Sequence, residues 1–94
     1  MTDIVVAEKL VSVAGDIKRV IIQTSSAADT GHTYDTNMDA ANGRGAEFKK
    51  IYNAYHVGLT GTQVAASWNN STGIITLGTV AGGPAVVNLV IEGK

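Results

Sequence analysis

The run Ile4-Val5-Val6-Ala7-Glu8-Lys9-Leu10-Val11-Ser12-Val13-Ala14-Gly15-Asp16-Ile17-Lys18-Arg19-Val20-Ile21-Ile22-Gln23-Thr24 is two β-branched segments separated by Gly15-Asp16. In the first, Ile4 to Val13, Leu10, Ser12 and Ala14 share one parity and Val11 and Val13 the other. In the second, Ile17, Arg19, Ile21 and Gln23 oppose Lys18, Val20, Ile22 and Thr24. Period-2 alternation places alternate side chains on opposite faces of a pleated strand. A short Gly-Asp connection between two such runs predicts a β-hairpin.

The same texture returns at the other end. Thr62, Val64, Ala66 and Trp68 alternate with Gln63, Ala65 and Ser67, and Asn69-Asn70-Ser71-Thr72-Gly73 is a strong turn signal before Ile74 to Leu77. Residues 62–77 therefore read as a second hairpin. Pro84 stands ahead of the last strand, Ala85 to Ile91, where a missing N–H is tolerated. Thr33 to Thr36 reads as a short edge strand. Residues 46–56 are ambiguous. Phe48, Ile51, Tyr52 and Tyr55 fall at helical spacing, yet Ile51, Asn53, Tyr55 and Val57 alternate with Tyr52, Ala54 and His56. Ile51 to Val57 is assigned to a strand, with one short helical turn near 46–50. The fold expected is all-β, a small antiparallel sandwich or partly open barrel of about six strands. Val20, Ile22, Val64, Trp68, Ile75, Val87, Leu89 and Ile91 should supply most of its core.

Ninety-four residues allow one domain, 1–94, with residues 1–3 as a loose arm and 25–45 as a long polar loop. Without cysteine there is neither a disulfide framework nor a thiolate metal site. Seven basic residues against eight acidic argue against a basic nucleic-acid-binding face. Asp3 and Glu8 interrupt what a signal peptide would need, and no apolar run reaches membrane-spanning length. Of the fifteen charged residues, only Glu92 and Lys94 follow Lys50. Outward strand faces normally carry charges that discourage edge-to-edge association. In the C-terminal half those positions hold Thr, Ser, Asn and Gln, the surface of a domain built to touch something.

Few residues carry chemistry. Asp35, Asn37 and Asp39 match the first three ligand positions of a calcium loop, but Ala40 stands where the sharp turn needs glycine and Glu47 is one residue late. They are weak metal candidates beside a plain solvated loop. His32 and His56 lack a convergent nucleophile and carboxylate, and no serine sits in a nucleophile elbow, so no catalytic or cofactor-binding residue is assigned. Gly43-Arg44-Gly45 resembles a fragment of a phosphate loop, but no strand precedes it and no Gly-Lys-Ser/Thr follows, so it reads as a turn. Tyr34, Met38, Arg44, Tyr52, Tyr55 and Trp68 are the candidate interface residues.

Lys18-Arg19-Val20-Ile21-Ile22 followed by Ser26-Ala27-Ala28-Asp29-Thr30-Gly31 resembles small virion structural proteins of tailed bacterial and archaeal viruses. So do Asn70-Ser71-Thr72-Gly73-Ile74-Ile75-Thr76-Leu77, the Gly-rich loop after it, and the ending Val86-Val87-Asn88-Leu89-Val90-Ile91-Glu92-Gly93-Lys94. The resemblance implies a compact β-sandwich that decorates the capsid or completes the head or tail, with no catalytic residues. It also implies a place in the virion, after assembly in the host cytoplasm. The expected partners are further copies of the chain, as a homo-oligomer with a trimer first, and a major capsid or other virion protein. Neither nucleic acid nor membrane is expected as a partner. The alternative is a carbohydrate- or protein-binding module, adhesin-like or lectin-like, with an aromatic platform at Tyr52, Tyr55 and Trp68.

Overall fold

The computed structural model describes residues 3–36, 48, 50–58 and 61–94. Eight strands are assigned among them: β1 (Val6–Ala14), β2 (Ile17–Thr24), β3 (Thr33–Asp35), β4 (Ile51–Gly58), β5 (Gln63–Ala65), β6 (Ser67–Trp68), β7 (Ile74–Thr76) and β8 (Val87–Gly93). They form a five-stranded sheet in the order β1-β2-β8-β4-β5 and a three-stranded sheet in the order β3-β7-β6, with all pairings antiparallel. The all-β antiparallel class is as expected. The strand number is eight rather than six, and neither sheet closes into a barrel. The expected helical turn near 46–50 lies outside the described residues except for Phe48 and Lys50.

The first hairpin forms as read, Gly15 taking φ +63° in the two-residue connection between Ala14 and Ile17. A positive φ is nearly free for glycine and strained for other residues. The second hairpin does not form as read. The segment 62–68 breaks at Ala66: β5 pairs with β4, β6 pairs with β7, and the Ala66 N–H donates to the Ala54 carbonyl at 3.2 Å. Val64 faces His56 across the large sheet, and Trp68 faces Ile75 across the small one. One inward parity thus continues around a corner, which is why alternation alone showed a single strand.

A bulge explains the ambiguity at residues 46–56. In the pairing of β4 with β8, Ile51 faces Gly93 and Asn53 faces Glu92, so one extra residue is inserted there. Ile51 and Ala54 both become buried although three apart, a helical spacing made by a strand. The side chain of Asn70 repairs the interrupted ladder. Its Oδ1 accepts from the Ile51 N–H at 2.8 Å, and its Nδ2 donates to the Ile51 carbonyl at 3.3 Å.

The core lies between the sheets. Val20 and Ile22 of β2, Leu89 and Ile91 of β8, Ala54 of β4 and Ile75 of β7 are buried together with Phe48, Ile51 and Leu77. Of the eight expected core residues, Val64 and Trp68 are only half-buried, because β5 and β6 are edge strands of their sheets. Thr24 continues the inward parity of β2 and is buried, its Oγ1 accepting from the Val87 N–H at 3.0 Å and donating to the Ser25 carbonyl at 2.9 Å. Residues 25–36 are tied to the segment that follows β7: Thr30 Oγ1 accepts from the Val80 N–H at 2.8 Å, and the Leu77 N–H donates to the His32 carbonyl at 2.9 Å.

Candidate functional site

Asn37, Met38, Asp39 and Arg44 lie outside the described residues. Asp35 ends β3, and among the described residues no three His, Asp or Glu side chains gather as metal ligands. The aromatic residues are divided between different surfaces. Tyr34 and Trp68 both pair with Ile75 in the small sheet and pack against the core, with Lys9 Nζ 6.0 Å from the centroid of the Tyr34 ring. Tyr55 pairs with Val90 on the opposite, outer face of the large sheet, while Tyr52 sits exposed at the bulge. Tyr52, Tyr55 and Trp68 therefore form no common platform.

His56 is the most unusual polar residue. It stands on the inward face of β4, opposite Leu89, and is 2% exposed. The backbone of Gly78 hydrogen-bonds the ring, yet Nε2 is buried with no hydrogen-bond partner among the described residues. The ring borders a cavity of about 250 Å³ whose other walls include Val64, Val80, Ala85 and Val87. That volume falls below the range of about 300–1,000 Å³ usual for small-molecule sites. Its walls are mostly apolar, and the polar side chains described beside His56 are those of Thr62 and Thr79, whose hydroxyls do not titrate near neutral pH.

Burial holds the His56 imidazolium below its ordinary value of 6.5, against a smaller opposing effect of the Gly78 hydrogen bond. Its consequence is for stability. A histidine with a depressed native pKa takes up its proton more readily in the unfolded chain, so the fold loses stability as pH falls below about 6.5. Thermal unfolding should show a lower Tm at pH 5 than at pH 7.5. His56→Phe should flatten that dependence, and an unchanged slope in the variant would exclude His56 as its source.

The larger anomaly is β1. All nine residues are exposed, on both faces, although β1 is paired to β2 along its length. Leu10 is 63% exposed, Val11 52% and Val13 64%, and with Val5, Val6 and Ile17 they make up six of the seven exposed large hydrophobic residues described. Fully burying such side chains stabilises by roughly 1.5–3 kcal/mol each. Covering this one hairpin is therefore worth several kcal/mol.

Of these residues Leu10 stands on the outer face of the large sheet, and Val11 and Val13 share the inner-face parity of Val20. Across the outer face of the large sheet, one row runs Leu10–Ile21–Val90–Tyr55–Ala65 through all five strands. Polar rows flank it. On one side are Glu8, Gln23, Asn88 and Gln63, interrupted by Val57; on the other are Ser12, Arg19, Glu92 and Asn53. Arg19 Nη2 meets Glu92 Oε2 at 2.7 Å, and Asn53 Nδ2 donates to Glu92 Oε1 at 3.3 Å. The Arg19 guanidinium holds the Glu92 carboxyl below the ordinary carboxylate range. A depression of about 400 Å³ bordered by Glu8, Leu10, Ile21, Gln23 and Asn88 lies along the β1 end of this face.

The sequence alone does not mark β1 as the exposed element; the interface candidates it offers are four aromatic residues with Met38 and Arg44. The signal available was that Val11 and Val13 stood opposite Leu10 in parity, which makes the strand apolar on both sides. Among family models, curated proteins and solved structures, nothing matches this chain. No helix among the described residues is long and apolar enough to cross a membrane.

Proposed function

We propose that the chain is a non-enzymatic virion structural protein, a capsid decoration or a head or tail accessory, acting by self-association and docking on a repeated lattice. The observation that carries this reading is β1, an edge strand with Leu10, Val11 and Val13 each more than half exposed. A monomer normally blunts such an edge with charge, proline or a cover. Here β1 carries only Glu8 and Lys9 among its nine residues. The charge-poor C-terminal half and the resemblance to small virion proteins support the same direction.

Two measurements on the purified protein test it. Light scattering across a concentration series should give a mass above that of one chain, and the protein should co-sediment with capsids of the virus whose genome encodes it. A protein that stays monomeric and fails to sediment with particles would overturn the proposal. Retention of oligomer without particle binding would leave self-association and remove the virion role.

A further inference from the structure

We infer that β1 pairs antiparallel with β1 of a second copy about a two-fold axis, joining the two five-stranded sheets into one of ten strands. The inference rests on the assembly reading above and names its partner. β1 and β5 are the edges of the large sheet, and β3 and β6 those of the small one. β1 has nine residues, β5 and β3 three each, and β6 two. A head-to-tail ring, including the three-fold arrangement expected from the sequence, would join β1 to one of those short edges and leave most of it bare. Among the described edge strands, only another β1 matches its length. A two-fold axis is also the symmetry that closes after two copies, using up both β1 edges and leaving at the sheet ends the three-residue β5 of each copy.

The backbone is set up for this. Ala14 and Ile17 flank a two-residue connection and so form a hydrogen-bonded pair. Hydrogen-bonded and non-bonded pairs alternate along an antiparallel ladder, so Val11 and Val13 turn their peptide groups away from β2. Register then follows from charge and regularity. With Lys9 on the axis, two ammonium groups would face one another directly. With Leu10 there, Val13 would meet Ala7, the extra residue of the bulge between Val6 and Glu8. With Val11 on the axis, the whole regular stretch from Glu8 to Ala14 pairs with itself. Val11 meets Val11 of the second copy, and Val13 lies along the aliphatic stem of the second copy's Lys9. The inner-face row Ala54–Ile91–Val20–Val11 then continues across the axis.

The chain has no cysteine, so Val11→Cys places a single thiol on the proposed axis. Mild oxidation or a short bifunctional thiol reagent should convert most of that variant to covalent dimer. Ser71→Cys, at the distant turn after β6, should yield several-fold less. Val11→Lys should shift the light-scattering mass to that of one chain with the far-UV circular dichroism unchanged. If Val11→Lys lost its fold, the two cysteine variants alone would decide. A wild-type oligomer in which residue 11 crosslinks no better than residue 71 would overturn the pairing while leaving self-association standing. A trimeric mass would likewise overturn the two-fold arrangement alone. A monomer at every concentration would remove the pairing, and particle binding would then decide the assembly reading separately.

Discussion

Ile91→Ala is expected to lower the unfolding free energy by about 2–5 kcal/mol, the range for truncating a fully buried isoleucine. Ile91 is 0% exposed on β8, the central strand of the large sheet, with Val20 on one side and Ala54 on the other. Alanine there leaves a void that neither neighbour can fill. β2 and β4 are held at ladder spacing, and Ala54 has no side chain long enough to reach. Domains of this size unfold with roughly 5–15 kcal/mol, so the variant should lose a large part of its stability. The melting temperature should drop by about 8–40 °C, at about 4–8 °C per kcal/mol for a domain of this length. Leu10→Ala removes a comparable side chain from an exposed edge and should cost within about 0.5 kcal/mol at dilutions where the protein is monomeric. Calorimetry of both variants checks the contrast. Equal losses would mean that β1 is covered and that Ile91 is not the centre of the core.

That contrast also marks what the sequence could disclose. Val87, Leu89 and Ile91 were legible as core because a buried face imposes period 2, and Val20 and Ile22 were legible for the same reason. Alternation reports which way a side chain points. It does not report whether anything lies beyond it, so Val11 reads like Val20 although one is half exposed and the other fully buried. The corner at Ala66 was hidden because the inward parity from Val64 to Trp68 survives the change of sheet. Ile51 and Ala54 looked helical because a bulge adds one residue to a strand. His56 was noticed as a possible base or ligand, yet its burial came from sharing a parity with Ala54, an apolar neighbour two residues away. Residue type alone marks the aromatic candidates. Which sheet and which face each aromatic occupies depends on pairings between strands far apart in sequence, and no local pattern encodes those.

Gly93→Ala sets two physical effects against each other. Glycine inside a strand costs roughly 0.5–1 kcal/mol relative to alanine through the entropy of the unfolded chain, so propensity alone predicts a gain. Gly93, however, ends β8 between Lys18 of β2 and Ile51 of β4, and it is buried. A Cβ at that position would overlap the Lys50 carbonyl oxygen and come within 2.9 Å of Phe48 Cδ1 and 3.1 Å of the Ile51 Cα. Two of those three atoms are backbone. They are held by the reciprocal bonds from Lys50 N–H to the Lys94 carbonyl at 3.1 Å and from Lys94 N–H to the Lys50 carbonyl at 2.9 Å. Relief would need the start of β4 to move away from β8 and drag buried Phe48 with it. Overpacking of this kind costs about 1–3 kcal/mol and exceeds the entropic gain. Gly58 supplies the comparison within the same sheet. It ends β4 with no positive φ, and no described atom lies within 4 Å of where its Cβ would stand. Gly58→Ala should therefore be neutral or stabilise by up to about 1 kcal/mol, while Gly93→Ala destabilises. Urea unfolding of the two variants reads the sign directly. If Gly93→Ala proved as stable as Gly58→Ala, the close approach of Lys50 and Phe48 to the end of β8 would be wrong, and with it the placement of Phe48 at the base of the core.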